Sequence, residues 1–319
     1  MKILITGIGG FVGGHLAERL SRASHDLFGT VRPGKSQDAL STLKLTKPVS
    51  LHEIDLGHDR AIASLIGDVR PYAVVHLAAY AKNDDQHPEK FELENVEVTR
   101  RLCEALVASG GRPRLLFVST GLVYGGLSDP EMPGFDETAP LNPHGMYSTS
   151  KARAEQVVTE FHSRAGLDAI IARPFNHTGP RQSTDYPIPR FARQIVSIPD
   201  GQTGVIHTRD LSSFRDYCDV RDVADAYALL LEKGTAGHCY NVGSGNAVQL
   251  RAVLDRLIFL AGVKAEVREE RLPHFAGNLR ATKCNSHKLE KLGWHRNFDF
   301  DATLKCVLQY WKEPLQRSD

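Results

Sequence analysis

Two side chains able to move a proton lie one helical turn apart in the sequence. Tyr147 and Lys151 frame the segment YSTSK, and a spacing of four residues places both on one face of a helix. A phenol has a pKa of about 10, and shifting it by three units requires about 4 kcal/mol. An ammonium about 4 Å away supplies a comparable energy at an effective dielectric of about 20. Lys151 is therefore predicted to tune Tyr147 as a proton carrier.

A third polar group is predicted to converge on this pair. The apolar run RLLFVST ends at Ser119 and Thr120 and is typical of a buried strand. Open α/β sheets bind ligands at the carboxyl ends of their strands. We expect the Thr120 hydroxyl to donate a hydrogen bond to a substrate oxygen as negative charge develops on it. Thr120, Tyr147 and Lys151 are thus the predicted catalytic residues.

The elements that must position these residues alternate along the chain. Apolar runs such as KILIT, YAVVHLA and DAIIARP are separated by helical patterns, which predicts βαβ units with strands covered on both faces. The sequence therefore predicts an α/β fold with a doubly wound parallel (Rossmann) sheet and a smaller C-terminal substrate lobe. We expect 1–175 to form the dinucleotide-binding domain, 217–240 to return to it, and 176–319 to form mainly the lobe. Helical patterns cover 11–24, 61–69, 92–109, 147–164, 189–197, 220–233 and 250–260.

A glycine-rich segment follows the first predicted strand directly. Residues 6–13 read TGIGGFVG, with glycines at Gly7, Gly10 and Gly13. These glycines permit a tight turn, a close approach of backbone amides to a pyrophosphate, and close packing of helix on strand. The N-terminus of the following helix also attracts phosphate groups. The strand–loop–helix context therefore predicts a dinucleotide site.

The end of the second predicted strand indicates which dinucleotide binds. NAD enzymes carry Asp or Glu about 20 residues past the glycines, whereas residues 29–32 here read GTVR. The planar fork of Arg32 suits a 2′-phosphate, so NADP(H) is the predicted cofactor. Asp55 and Leu56 follow the next run and are predicted to reach the adenine.

Composition argues against several other classes of protein. The 39 basic and 38 acidic residues give a formal net charge of +1, so nucleic acid is not an expected partner. The start, MKILITGIGG, is broken by glycines too early for a signal peptide core or a membrane span, so we expect a cytoplasmic protein without membrane contact. Five cysteines without a CxxC pair predict neither a disulfide framework nor a metal site.

The whole pattern resembles the extended short-chain dehydrogenase/reductase family, nearly from end to end. The similar segments are TGIGGFVG, HLAA at 76–79, Asn95-Val96, STGLVYG at 119–125, YSTSK, RPFNHTGP at 173–180, FRDYCDVRDVADA at 214–226, YNVGSG and LGW at 292–294. The resemblance implies a nucleotide-sugar substrate and a homodimer built through two helices of each subunit. The predicted cofactor contacts are Gly7, Gly10, Phe11, Val12, Arg32, Asp55, Leu56, Leu77, Ala78, Ala79, Tyr147, Lys151 and Arg173.

The same resemblance suggests residues that bind the nucleotide diphosphate of the substrate. Asn176 and Arg215 are the candidates, with Arg280 as a second clamp in the less similar segment GNLRATK. For Arg215 the alternative is a salt bridge with Asp216 or Asp219. His177 is left out of the predicted catalytic set because a structural role is equally compatible with the sequence.

The two residues after Thr120 discriminate among reactions within the family. Dehydratases and decarboxylating relatives place an acid there, and the GDP-fucose-forming enzymes place a Cys near it, but this chain has Gly121 and Leu122. Reduction of a 4-keto group or 4-epimerisation remains, and Thr30 with Arg32 favours reduction. The segment RPFNHTGPRQ resembles members that reduce GDP-4-keto-6-deoxy-D-mannose. We therefore expect an NADPH-dependent 4-ketoreductase; the alternatives are an NDP-sugar 4-epimerase with bound NAD and a non-catalytic NADP-binding regulatory protein.

Overall fold

Seven parallel strands form the central sheet of the protein, whose computed structural model describes residues 1–23, 25–35, 40–58, 60–81, 87–270 and 280–313. They are β1 (Lys2–Thr6), β2 (Asp26–Val31), β3 (Val49–Glu53), β4 (Ala73–His76), β5 (Arg114–Val118), β6 (Ala169–Pro174) and, later in the chain, β10 (Cys239–Val242). Their spatial order is β10-β6-β5-β4-β1-β2-β3, and every neighbouring pair is parallel. The order reverses between β1 and β4, where doubly wound sheets bind ligands. The predicted fold class is confirmed.

Helices cover both faces of this sheet because its strands are apolar on both sides. In β1, Ile3 and Ile5 join one core cluster and Leu4 joins the other, as the two-residue period of a strand requires. The first cluster includes side chains of α1 (Phe11–Ser21) and α7 (Val220–Lys233). The second includes those of α2 (Ala61–Val69), α4 (Val98–Ala108) and α5 (Met146–Ala165). A short helix, α3 (Pro88–Phe91), and a π-helical segment, Glu92–Glu97, precede α4.

The C-terminal half adds a smaller layer above the carboxyl ends of the large sheet. There β9 (Phe214–Asp219) pairs with β7 (Asn176–Thr178), β11 (Ala247–Gln249) and β13 (Ala281–Thr282), and β8 (Thr203–Thr208) pairs with β12 (Lys264–Glu269). The helices are α6 (Pro187–Val196), α8 (Leu250–Ala261), α9 (His287–Glu290) and α10 (Phe300–Lys312); α6, α8 and α10 share one apolar core. The domain limits expected from the sequence stay a prediction.

A buried ion pair fixes α5, which carries YSTSK, against the sheet. Arg173 on β6 and Glu155 on α5 are both buried, and their closest charged atoms lie 2.6 Å apart. Arg173 also donates to the Tyr124 hydroxyl at 2.7 Å, and that hydroxyl donates to Asn241 on β10 at 2.8 Å. The network therefore joins one helix to two adjacent strands of the sheet.

We expect Glu155→Ala to lower the free energy of unfolding by about 3–5 kcal/mol, because it leaves a buried guanidinium without its carboxylate. The matched control is Arg153→Ala, also on α5, which removes an exposed ion pair to Glu92 of the π-helical segment and should change the free energy by about 0–1 kcal/mol. Denaturant unfolding measures both variants. Similar small losses in the two would contradict a structural role for the buried pair.

Candidate active site

The loop between β1 and α1 has the backbone shape of a pyrophosphate cradle. Gly7 has a φ of +72°, and a Cβ there would lie 3.1 Å from the backbone of Ala78. At Gly13 a Cβ would lie 2.5 Å from the carbonyl oxygen of Gly7, so a side chain would force the helix away from the loop. Gly10, the N-cap residue before α1, offers no capping side chain, and the first turn of the helix carries no acid. The N–H groups of this turn therefore fit a phosphate.

Buried hydroxyls behind the loop hold its shape. The Thr6 hydroxyl lies 2.7 Å from Nδ1 of His76 and accepts from the backbone N–H of Ala78 at 3.2 Å. The Thr30 hydroxyl accepts from the backbone N–H of Gly7 at 3.1 Å and is buried. Thr30 therefore supports the glycine loop from β2.

The three predicted catalytic residues line one cavity of about 460 Å³ together with the glycine loop. Thr120 follows β5 and accepts from the backbone N–H of Leu122 at 3.2 Å, which leaves its own proton for donation. Tyr147 lies in the first turn of α5 and Lys151 in the second. Lys151 is buried, with its Nζ 4.3 Å from the ring centre of Phe117 on β5. The structure thus brings strand end, helix and loop together.

Burial shifts both ionisable groups toward their neutral forms. Desolvation lowers the pKa of Lys151 to about 7, and the nearby charge of Glu155 opposes this shift. Desolvation raises the pKa of Tyr147 well above its ordinary value, and Tyr186 adds to the effect. Tyr147 is therefore protonated at neutral pH and can act as an acid. The lowering of its pKa by Lys151 stays a prediction.

A buried amide connects the catalytic helix to the loop after β4. Asn95, in the π-helical segment, donates to the Ser150 hydroxyl at 2.9 Å and to the carbonyl of Tyr80 at 3.0 Å, while its Oδ1 accepts from Tyr80 N–H at 2.7 Å. Ser150 in turn donates to the carbonyl of Tyr147 at 2.8 Å. Asn95 is therefore a positioning residue. Only the family resemblance of the segment Asn95-Val96 pointed to this residue in the sequence.

No side chain fits at the position after Thr120. A Cβ at Gly121 would lie 2.7 Å from the ring of Phe175, so an acid could enter there only if Phe175 moved. Leu122 lines the cavity beside it. Among the described residues that line the cavity, none is Asp, Glu or Cys. Other lining residues that the sequence analysis did not assign to the site include Ser119, Phe175, Gln182, Tyr186, Tyr217 and Tyr227.

The predicted cofactor contacts fall into two groups. Those that line the catalytic cavity are Gly7, Gly10, Phe11, Val12, Leu77, Ala79, Tyr147 and Lys151, while Ala78 packs beside Gly7. Arg32, Asp55, Leu56 and Arg173 are not among its lining residues. Arg32 is 67 % exposed and pairs with Glu94 at 2.7 Å. Asp55 accepts from Gly57 N–H at 2.9 Å, and Leu56 packs against the core. Arg173 is engaged by Glu155 and Tyr124, so its contact with a cofactor stays a prediction.

The predicted substrate residues lie toward the smaller layer. Asn176 lines the cavity, and its Oδ1 lies 3.5 Å from the Thr282 hydroxyl. Arg215 is half-buried on β9 and donates to the carbonyls of Phe214 and Arg280 at 2.8 and 3.5 Å. Burial lowers its pKa below the ordinary value. Arg280 is exposed beside the start of β13.

The carboxylates considered as partners of Arg215 are occupied by other groups. Asp216 accepts from the backbone N–H groups of Ser244 and Cys284 at 2.7 and 2.9 Å. Asp219 pairs with Arg221 at 2.7 Å. The arrangement is therefore compatible with a ligand role for Arg215, which stays a prediction.

Comparison with known proteins identifies the family. Residues 3–243 match the family model described as the NAD dependent epimerase/dehydratase family. The chain belongs to this family. The resemblance to the extended short-chain dehydrogenase/reductases is thereby confirmed, and a nicotinamide dinucleotide is the cofactor on which the family depends. Family members act on nucleotide sugars as reductases, dehydratases and epimerases, and the protein is an enzyme of this kind.

Three comparisons show that the similarity extends over almost the full length of this chain. GDP-6-deoxy-D-mannose reductase of Pseudomonas aeruginosa is 30 % identical over 98 % of this chain and 97 % of that protein. The structure of RMD from Pseudomonas aeruginosa complexed with NADPH covers 99 % of this chain and 100 % of its own, with a TM-score of 0.83 and 28 % identity. The UDP-glucose 4-epimerase of Thermus thermophilus in complex with NAD covers 99 % and 100 %, with a TM-score of 0.85 and 27 % identity.

Two features of the described residues bear on other classes of protein. No helix within them is long and apolar enough to cross a membrane. Within the same residues, no three His, Cys, Asp or Glu side chains are grouped so that they could hold a metal ion.

The low pKa of Lys151 predicts a pH dependence of folding. Between about pH 7 and the ordinary value of 10.5 the unfolded chain keeps this proton and the folded chain does not, so stability rises with pH. Relative to Lys151→Met, we expect the free energy of unfolding of the natural protein without cofactor to rise by up to about 1.4 kcal/mol per pH unit in this window. Denaturant unfolding from pH 7.5 to 9.5 measures the difference. Parallel curves for the two proteins would contradict the lowered pKa.

Proposed function

We propose that the protein catalyses the NADPH-dependent reduction of the 4-keto group of a nucleotide-activated 4-keto-6-deoxyhexose, with GDP-4-keto-6-deoxy-D-mannose as the preferred substrate. The observation that carries this proposal is the composition of the catalytic cavity. Thr120, Tyr147 and Lys151 line it with the glycine loop, whereas its described lining contains no carboxylate or thiol. Such a site supports transfer of a hydride and a proton at one carbonyl. The acid or Cys by which the dehydratases and the GDP-fucose-forming members of the family move a proton at a neighbouring carbon has no counterpart at Gly121 and Leu122.

Each catalytic side chain has a role that follows from its environment. When bound, the reduced nicotinamide supplies a hydride to C4 of the sugar. Tyr147, protonated at neutral pH, gives its proton to the carbonyl oxygen. Thr120 accepts from Leu122 N–H and donates a hydrogen bond, without losing its proton, to the same oxygen, which stabilises the developing charge. Lys151 holds the nicotinamide ribose and, when charged, stabilises the Tyr147 phenolate left after proton transfer.

Similarity supports the choice of the GDP sugar. The Pseudomonas aeruginosa reductase is similar over almost the full length of both chains, and the segment RPFNHTGPRQ carries Asn176 into the cavity wall. We assign the diphosphate to Asn176, Arg215 and Arg280; the guanidinium of Arg215 lies 3.5 Å from the carbonyl oxygen of Arg280. Two cationic side chains and an amide suit a pyrophosphate group.

A homodimer in the cytoplasm completes the proposal. The segment from the π-helix to α5 exposes apolar side chains at Leu93, Val107 and Met146, which are 44, 38 and 37 % accessible. Burial of such side chains against a second subunit would remove apolar surface from water. The family resemblance, with two helices from each subunit at the interface, supports the same arrangement.

Tyr147→Phe tests the proton donor. We expect kcat for NADPH oxidation with the 4-keto sugar nucleotide to fall by about 10²–10⁴-fold, while NADPH still binds. Tyr72→Phe is the matched control and should leave kcat unchanged. Tyr72 is exposed and precedes β4, at the amino ends of the strands and away from the cavity at their carboxyl ends. Full activity of Tyr147→Phe would rule out the proposed acid.

The ion pair between Arg32 and Glu94 predicts two changes in cofactor selectivity with opposite signs. Arg32→Ala should weaken NADPH binding about tenfold and leave NADH binding unchanged, because it removes the cation for the 2′-phosphate. Glu94→Gln should strengthen NADPH binding alone, because it removes a competing carboxylate. Fluorescence titration measures both dissociation constants. Glu92→Gln, on the same segment but paired with Arg153, is the control; equal effects of Arg32→Ala on both dinucleotides would contradict the assignment.

A further inference from the structure

Two buried hydroxyls in the wall of the catalytic cavity have no hydrogen-bond partner among the described residues. They are Oγ of Ser119, at the end of β5, and Oη of Tyr227, on α7. Ser119 is 3 % exposed and Tyr227 is fully buried. Both line the cavity that contains Thr120, Tyr147 and the glycine loop. They belong to different elements, so two separate parts of the fold each leave an unpartnered hydroxyl in the wall of the same cavity.

Buried hydroxyl groups normally have a hydrogen-bond partner within the fold, so two without one point to a partner from outside the chain. A buried hydroxyl without a partner costs about 1–3 kcal/mol, and most buried polar atoms have one. Tyr240 lies in the same core cluster as Tyr227, and its hydroxyl accepts from the backbone N–H of Thr235 at 3.1 Å. The hydroxyl of buried Tyr124 has two partners, Arg173 and Asn241. The surrounding core therefore provides hydrogen-bond partners for other buried hydroxyls but not for those of Tyr227 and Ser119. This difference indicates that a ligand provides the missing partners.

The position of the two hydroxyls restricts the ligand. Tyr227 packs in the cluster that contains Val12 and Val118, which also line the cavity next to the glycine loop. Tyr147 and Tyr227 line the same cavity. Burial raises the pKa of Tyr227 well above its ordinary value, and the nearby Tyr147 phenol adds to the shift. Hydride transfer requires the nicotinamide ring to lie beside Tyr147. The hydrogen-bonding group of that ring is its carboxamide, with one acceptor oxygen and an NH₂ donor.

We propose that Tyr227 and Ser119 form the subsite for the nicotinamide carboxamide, in which Tyr227 donates to the carboxamide oxygen and Ser119 accepts from its NH₂ group. The proposal rests on the dinucleotide cofactor and is independent of the sugar. Both residues bind the ring at a substituent away from C4, so they act as cofactor-orienting residues and leave proton transfer to Tyr147. The carboxamide forms hydrogen bonds with both hydroxyls when the dinucleotide binds. Without cofactor the two hydroxyls have no partner, and their burial lowers the free energy of unfolding of that state.

Tyr227→Phe gives effects of opposite sign in the two states. Without cofactor, the variant should unfold at the same or a higher denaturant concentration, because it loses a hydroxyl that had no partner. With cofactor, the dissociation constant for NADPH should rise about tenfold, which corresponds to about 1.4 kcal/mol. Calorimetric titration with 2′-phospho-ADP-ribose, which keeps the phosphates and the adenosine but lacks the nicotinamide, should give the same constant for the variant and the natural protein.

Two further variants separate the contacts. Tyr240→Phe is the matched control: it removes a hydroxyl that has a partner, so it should lower stability without cofactor and leave NADPH binding unchanged. Ser119→Ala should weaken NADPH binding several-fold but should not weaken binding of the 3-acetylpyridine analogue of NADPH, in which a methyl group replaces the NH₂ group. This second variant tests the subsite independently of Tyr227.

Three outcomes would overturn the proposal. The first is a Tyr227→Phe variant that is less stable without cofactor and binds NADPH normally, which would mean that the hydroxyl has a structural partner such as buried water. The second is an equal loss of affinity for NADPH and 2′-phospho-ADP-ribose, which would mean a general distortion of the cavity. The third is an equal effect of Ser119→Ala on NADPH and its acetylpyridine analogue.

Discussion

The buried ion pair between Arg173 and Glu155 holds α5 against β6, and the position of Tyr147 and Lys151 on that helix depends on it. Glu155 follows Lys151 by one helical turn, so the same carboxylate that anchors the helix also favours the charged form of Lys151. Burial favours the neutral form more strongly, which brings the pKa of that lysine to about 7. The packing of one helix thus determines both where the ammonium lies and how readily it holds its proton.

A second constraint narrows the chemistry. The ring of Phe175 occupies the space that a side chain at position 121 would need, and the neighbouring Leu122 is apolar. The described wall of the cavity contains no carboxylate or thiol, and the proposed mechanism therefore assigns proton transfer to Tyr147 and hydrogen-bond donation to Thr120. The fold is shared by reductases, epimerases and dehydratases, so the side chains at these few positions, and not the fold, separate the reactions.

Local sequence patterns predicted those parts of the structure that depend on local interactions. The helices at 61–69 and 220–233 begin and end at the predicted residues, because an apolar stripe and the flanking residues define them. The predicted helix at 92–109 contains a π-helical segment at Glu92–Glu97 that periodicity does not reveal. Strands of two or three residues in the smaller layer, β7, β11 and β13, were missed because their stability comes from partners distant in sequence.

The site follows the same rule. YSTSK, STG and TGIGGFVG are contiguous motifs, so their residues could be recognised from the sequence. Tyr227 lies 80 residues beyond Tyr147 on another helix. Arg32 forms its ion pair with Glu94, which is 62 residues away in the sequence. Such pairs come together only in the folded chain, so local sequence patterns do not reveal them. Arg173 was predicted from a motif to touch the cofactor, whereas its described partners are Glu155 and Tyr124.

Isotope transfer tests the central claim most directly. NADPH that carries deuterium at the transferable C4 position is incubated with the protein and GDP-4-keto-6-deoxy-D-mannose, and the product is examined by NMR. A hydride transferred onto the ketone predicts one deuterium at C4 of the sugar for each NADPH oxidised. Interconversion of two nucleotide sugars with no net oxidation of NADPH, or a reduced sugar without deuterium at C4, would contradict the account.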